Sequence, residues 1–62
     1  MSERTERVEY WVRRKWRTDK EFKDTYQHDT PDLVIRRRDI ENETNEHAEH
    51  IAVKRTIVEE VL

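Results

Sequence analysis

Three groups of residues have types and spacings that could do chemistry: the basic run Arg13-Arg14-Lys15-Trp16-Arg17, the triplet Arg36-Arg37-Arg38, and the imidazoles of His28, His47 and His50. On an extended strand Arg13, Lys15 and Arg17 project to the same side as Trp11. Cations around an aromatic ring neutralise phosphates and stack bases, so this set, with Arg36, Arg37 and Arg38 either adding to it or lying on the far side, is a candidate nucleic-acid surface. The competing reading pairs the cations with Glu60 and other carboxylates across a sheet and packs Trp11 against Val58. A pI of about 5.9 weighs toward pairing, because nucleic-acid-binding domains more often exceed a pI of about 9.

In Glu46-His47-Ala48-Glu49-His50 two imidazoles stand three residues apart, and with His28 they are the candidate metal ligands. Zinc sites usually draw on two separated ligand pairs and often on cysteine, of which the chain has none. The segment is therefore read as a charged, solvated turn, and neither a metal nor another cofactor is expected. Nucleophilic catalysis lacks its residues: there is no cysteine, and Ser2 is the only serine. Phosphate loops need glycine for close backbone approach, and the chain has no glycine. Carboxylate pairs need a cleft that raises one pKa, which a chain of 62 residues can hardly enclose. No catalytic residue and no small-molecule substrate are assigned, and the chain is read as not an enzyme.

These residues must be positioned by a short list of elements. Between Arg7 and Arg17 the chain alternates, with Val8, Tyr10, Val12 and Trp16 on one side and Glu9, Arg13, Lys15 and Arg17 on the other, which predicts a half-buried strand. Arg14 interrupts the apolar side and Trp11 the polar side. Thr18-Asp19-Lys20 supplies turn formers, Asp19 through its side chain. Residues 21–27 are expected as a second strand that puts Phe22 and Tyr26 on one side. Thr30-Pro31-Asp32 is a helix start: a threonine cap, a proline where no amide bond is lost, and an acid at the positive end of the dipole. The stripe Leu33, Arg37, Ile40, Thr44, with Val34 and Ala48 beside it, carries that helix to about Asn45.

From Ile51 the alternation returns, with Ile51, Val53, Ile57 and Val61 against Lys54, Thr56 and Glu60. The same residues also fit a helical stripe through Ala48, Ile51, Ala52, Val58 and Leu62. Their β-branching favours a strand. The fold class is then α+β, a three-stranded antiparallel sheet with one helix on one face (ββαβ), in the strand order 2-1-3 set by a crossover between the second and third strands. The core is expected from Val8, Tyr10, Val12, Phe22, Leu33, Ile40, Ile51, Val53 and Ile57, with Trp16 and Tyr26 at its edges. The other face would carry Trp11, Arg13, Lys15, Lys54, Thr56 and Val58.

Composition limits what such a domain can be. Only 32% of the residues are apolar and 45% are charged, so one small domain spans residues 1–62, with residues 1–6 as a flexible tail. A chain this short buries about 60% of its unfolded surface. With disulfides excluded, a homodimer or a stable complex is the natural source of additional burial. Residues 1–38 hold 11 Lys/Arg and 8 Asp/Glu, a balance of +3, and residues 39–62 hold 2 and 7, a balance of −5, which together give the net −2. No apolar run approaches a membrane span, so the expected location is the cytoplasm and no membrane partner is expected.

A tryptophan on the uncovered side of a sheet, ringed by arginine, has the composition of a protein-interaction hot spot. The preferred interaction surface is thus Trp11, Arg13, Lys15, Arg17, Lys54 and Val58. Tyr10-Trp11-Val12-Arg13 in a first strand, the Thr30-Pro31-Asp32 helix start and the terminal segment from Lys54 to Leu62 together resemble small accessory proteins encoded by bacteriophages of actinobacteria. The resemblance covers most of the chain and transfers no site residue. It implies a non-enzymatic protein that binds a host or phage macromolecule, in the host cytoplasm. Arm-type DNA-binding domains of integrases also set a Trp- and Arg-rich strand beside a helix, but they have three strands before it and glycine in their turns, and this chain departs on both counts. Three functions follow as expectations: a module for protein interaction or self-association, a nucleic-acid-binding protein, and a structural component of a larger assembly such as a virion.

Overall fold

The computed structural model describes residues 3–62, so Met1 and Ser2 of the expected tail lie outside the described residues. Four elements follow one another: β1 (Glu3–Trp16), β2 (Lys23–His28), α1 (Pro31–Thr44) and β3 (Ala48–Val61). They form an α+β unit in which a three-stranded antiparallel sheet of order β2-β1-β3 carries one helix. The last segment is a strand, not a helix. Residues 3–6 of the expected tail instead extend β1 and pair with residues 58–61.

Local chemistry accounts for the connections. The Asp19 carboxylate accepts from the backbone N–H of Trp16 at 3.1 Å while the Asp19 N–H donates to the Trp16 carbonyl at 2.9 Å, closing the turn after β1 without glycine. The helix begins at the Thr30 hydroxyl, which accepts from the Leu33 N–H, with Pro31 at its first turn and Asp32 following. It ends at Asn45, whose N–H donates to the Glu41 carbonyl and whose side chain accepts from the His47 N–H at 3.1 Å.

Directly opposed residues of an antiparallel pair share a face of the sheet. Tyr10 lies opposite Lys54, Val12 opposite Ala52 and Tyr26, and Arg14 opposite His50. This side carries the helix, which buries Val34 (2% exposed) over a sheet whose centre is Val12 (0% exposed). The register corrects the expected core. Ile51, Val53 and Ile57 lie opposite Arg13, Trp11 and Arg7, so they sit on the helix-free side, because a strand apolar on both faces leaves its register to the pairing and a shift of one residue exchanges the faces. Val8 is largely exposed, and so are Leu33 (45%) and Ile40 (47%). The helix is turned by one residue from the expected stripe, about 100°, so that Val34, Arg37, Arg38 and Glu41 are its shielded positions.

Phe22 is corrected as well. It precedes β2, and its ring lies 5.9 Å from the Lys15 ammonium, while Tyr26 lies beneath Arg37 on the helix side. The cause is a bulge: Tyr26 opposes Val12 but Asp24 opposes Arg13, so Thr25 has no opposite residue and its hydroxyl donates to the Val12 carbonyl at 2.8 Å.

The molecule is elongated, with extents of 51 × 26 × 10 Å and a radius of gyration of 14.7 Å. A compact chain of this length would have a radius of about 10.6 Å. The excess comes from the far ends of β1 and β3: β2 reaches only Tyr10 to Arg14, so residues 3–8 and 56–61 pair only with each other as a two-stranded arm.

Candidate functional site: the helix-free face of the sheet

Alternation along β1 sends Arg7, Glu9, Trp11, Arg13 and Lys15 to the side away from the helix, and the register adds Ile51, Val53, Arg55 and Ile57 from β3 and Asp24 from β2. Trp11 is at the centre of this face, opposite Val53 and Gln27. Its indole N–H donates to Glu9 Oε1 at 3.2 Å, and the Arg55 guanidinium lies 5.3 Å from its ring centroid.

The charges around Trp11 form one connected belt. Arg55 donates through Nε (3.1 Å) and Nη2 to Glu9 Oε1, and its Nη1 lies 3.4 Å from Asp24. Asp24 in turn accepts from Arg13 Nε at 2.8 Å, and Arg7 Nε stands 3.5 Å from Glu9 Oε2. The bonds from Arg55, and then from Trp11, hold the Glu9 carboxyl below the usual carboxylate range. A face that combines a central indole, half-buried aliphatic side chains on β3 and a belt of fixed charges offers another protein a desolvatable centre with a polar rim.

Of the expected interaction residues, the fold brings together Trp11, Arg13 and Lys15. Arg17 lies just past β1, where its N–H donates to the His47 carbonyl at 3.1 Å. Lys54 and Val58 do not belong to the face. They lie opposite Tyr10 and Glu6, on the helix side, for the register reason given above. Trp11 accordingly faces Val53 and not Val58, and Glu60 lies opposite Arg4 and not beside the basic run.

The expected nucleic-acid set is divided by the sheet. Arg13 and Lys15 are on the open side, whereas Arg36, Arg37 and Arg38 are on the helix that covers the other side. Arg37 lies 4.1 Å over the Tyr26 ring and 3.0 Å from Glu41, and Arg38 pairs with Asp39 at 3.0 Å. Arg36 is exposed. The histidines are dispersed: His28 lies opposite Tyr10, His47 is exposed ahead of β3, and His50 is buried opposite Arg14. Among the described residues no group of three or more His, Cys, Asp or Glu is placed to hold a metal ion. The solvated turn expected over residues 46–50 is wrong for His50, whose burial lowers its pKa, with Glu41 opposing that shift and Arg14 adding to it.

Sequence reasoning missed Glu9, Asp24 and Arg55, which build the belt, and Asn42. An asparagine within a helix, here in the last turn of α1, costs helix propensity, and that cost is a signal of a tertiary task. Among the described residues no helix is long and apolar enough to cross a membrane. Comparison with protein-family models, with curated proteins and with solved structures finds no match for the chain.

Proposed function

We propose that this chain is a non-enzymatic protein-interaction module whose docking surface is the helix-free sheet face centred on Trp11. One observation carries the reading. Trp11, one of the two tryptophans of the chain, is placed on the side that the helix does not cover, beside Val53 and within a belt in which Glu9, Arg55, Asp24 and Arg13 are already mutually paired. Paired charges are less available to a polyanion, which favours a protein partner over nucleic acid. On the helix side a groove of about 280 Å³ between the start of α1 and β3 is lined by Tyr10, Pro31, Val34, Ile35, Ala52, Val53 and Lys54.

Among the described residues only Val12 and Val34 are buried apolar residues, and self-association is part of the reading because assembly supplies the burial that the monomer lacks. An accessory role of the phage type, in a host cytoplasm, is the setting that the resemblance suggests. The test compares the wild-type chain with Trp11→Ala as baits in extracts of the source cell and its host. A protein retained by the wild type and lost with Trp11→Ala supports the reading. Equal retention by both places the docking surface elsewhere.

A further inference from the structure

We infer that a second copy of this chain pairs with the outer edge of β3, antiparallel about Ile57, joining two three-stranded sheets into one of six strands. The inference shares with the proposed function the premise that the chain assembles and the residues Val53 and Arg55, and it uses the backbone of the sheet edge instead of the Trp11 ring.

The backbone of β3 shows which groups are free. The Arg17 N–H bonds the His47 carbonyl, and in the same register Glu49, Val53, Arg55 and Ile57 lie opposite the odd residues of β1. Alternation in an antiparallel ladder therefore turns the N–H and C=O of the odd residues toward β1 and those of the even residues outward. His50 confirms this: its N–H and C=O are both taken by the Asn42 side chain, at 2.9 and 3.1 Å. Beyond His50, among the described residues, the outward groups of Ala52, Lys54, Thr56, Val58 and Glu60 have no strand beside them.

Unpaired edges invite pairing unless they are blunted. β2 is blunted, being six residues long and bulged. The arm portion of β1 presents Arg4 and Glu6 with Val8. β3 runs for 14 residues without proline or bulge. Five charged residues lie on it: Glu49 near its start, then Lys54 and Arg55, then Glu59 and Glu60. An antiparallel copy centred on Ile57 sets Lys54 opposite Glu60 of the second copy and Arg55 opposite Glu59 of the second copy, with Thr56 facing Val58, Ile57 facing Ile57, and Val53 facing Val61. Moving the centre to Thr56 sets Lys54 against Val58 and Glu59 against Val53, and moving it to Arg55 sets the two Arg55 side chains together. Opposite-charge cross-strand pairs stabilise a sheet and like pairs destabilise it, so the centre at Ile57 is the favoured one. Lys54, Glu59 and Glu60 take part in none of the ion pairs found among the described residues.

This register has two structural consequences. Each two-stranded arm, marginal by itself in water, becomes part of a four-stranded sheet with about eight added backbone hydrogen bonds. The helices stay clear of the junction: Ala52 of one copy and Ala52 of the other are separated by about ten residues of strand, roughly 34 Å at the usual rise.

Sedimentation equilibrium of the full chain tests the inference, with a mass twice 7.8 kDa expected. Val58→Pro removes an outward N–H and no bond to β1, so it should give a monomer with an unchanged far-ultraviolet circular dichroism spectrum. Lys54→Glu should weaken the dimer roughly tenfold by opposing like charges, and adding Glu60→Lys should restore it. Trp11→Ala should leave the dimer intact. A wild-type chain that remains monomeric at millimolar concentration overturns the inference, as does a dimer indifferent to both Lys54→Glu and Val58→Pro. Dissociation by Trp11→Ala with no effect of Val58→Pro would also overturn it, moving the second copy to the open face and leaving the proposed function in place.

Discussion

Asn42 on α1 holds both backbone polar groups of His50 on β3, donating from Nδ2 to the His50 carbonyl at 3.1 Å and accepting the His50 N–H on Oδ1 at 2.9 Å. An amide side chain thus pairs with the edge as a neighbouring strand would, for one residue, and fixes the helix to the sheet. His50 Nδ1 lies 3.3 Å from the same Asn42 oxygen, a contact that the Nδ1–H tautomer makes as a donor.

Replacing Asn42 by alanine leaves the His50 backbone groups without these partners, and the expected loss is about 2 kcal/mol. Alanine is the better helix former, so helix propensity alone predicts the opposite sign. A thermal melt followed by circular dichroism separates the two, with a midpoint about 8–16 °C lower expected for Asn42→Ala.

The burial of His50 makes stability depend on pH. Its folded-state pKa is lowered, chiefly by desolvation, so between that value and the ordinary value of about 6.5 the unfolded chain binds more protons than the folded one. The contribution is complete above about 6.5 and is lost as pH falls through the folded-state pKa. Urea midpoints measured across this range should decline toward acid for the wild type, and the decline should be shallower for His50→Gln.

Val34 and Leu33 are adjacent in sequence and differ in burial. Val34→Ala removes two buried methyl groups and is expected to cost about 2 kcal/mol, whereas Leu33→Ala, at a position 45% exposed, should cost less than half as much. Equal costs in urea titrations would mean that the helix packs through the Leu33–Ile40 stripe after all.

The division of the arginines by the sheet gives an expectation for nucleic acid. With Arg13 paired to Asp24, and with Arg37 and Arg38 on the opposite side and paired to Glu41 and Asp39, no retardation of DNA or RNA should occur in a gel-shift series at about 50 mM salt, where phosphate contacts are strong. Retardation that disappears with Arg13→Ala and Lys15→Ala would restore the nucleic-acid reading.

The candidate site was partly legible in the sequence. Alternation from Val8 to Arg17 places Trp11, Arg13 and Lys15 on one side of a strand whatever its neighbours do, since the pleat has a period of two. The companions of Trp11 were not legible, because Glu9–Arg55 spans 46 positions and Arg13–Asp24 spans 11, and nothing local ties those residues together. Asn42 was hidden for the same reason, its partner being on another element.

Sequence alone determined the first strand, the helix and their order, the start of α1 at Thr30-Pro31 and the separation of Trp11 from Tyr10 and Val12, while leaving the last segment open between strand and helix. These follow from short-range sterics, capping and alternation. Only the tertiary structure decided which side of β3 faces the helix, which side of α1 faces the sheet and where β2 bulges. β3 carries Ile51, Val53 and Ile57 on one face and Ala52 and Val58 on the other, and α1 has apolar residues at 33, 34, 35 and 40 around much of its circumference. Neither pattern names a buried face, so the choice passes to the register with β1, in which Val12 meets Ala52 and Trp11 meets Val53.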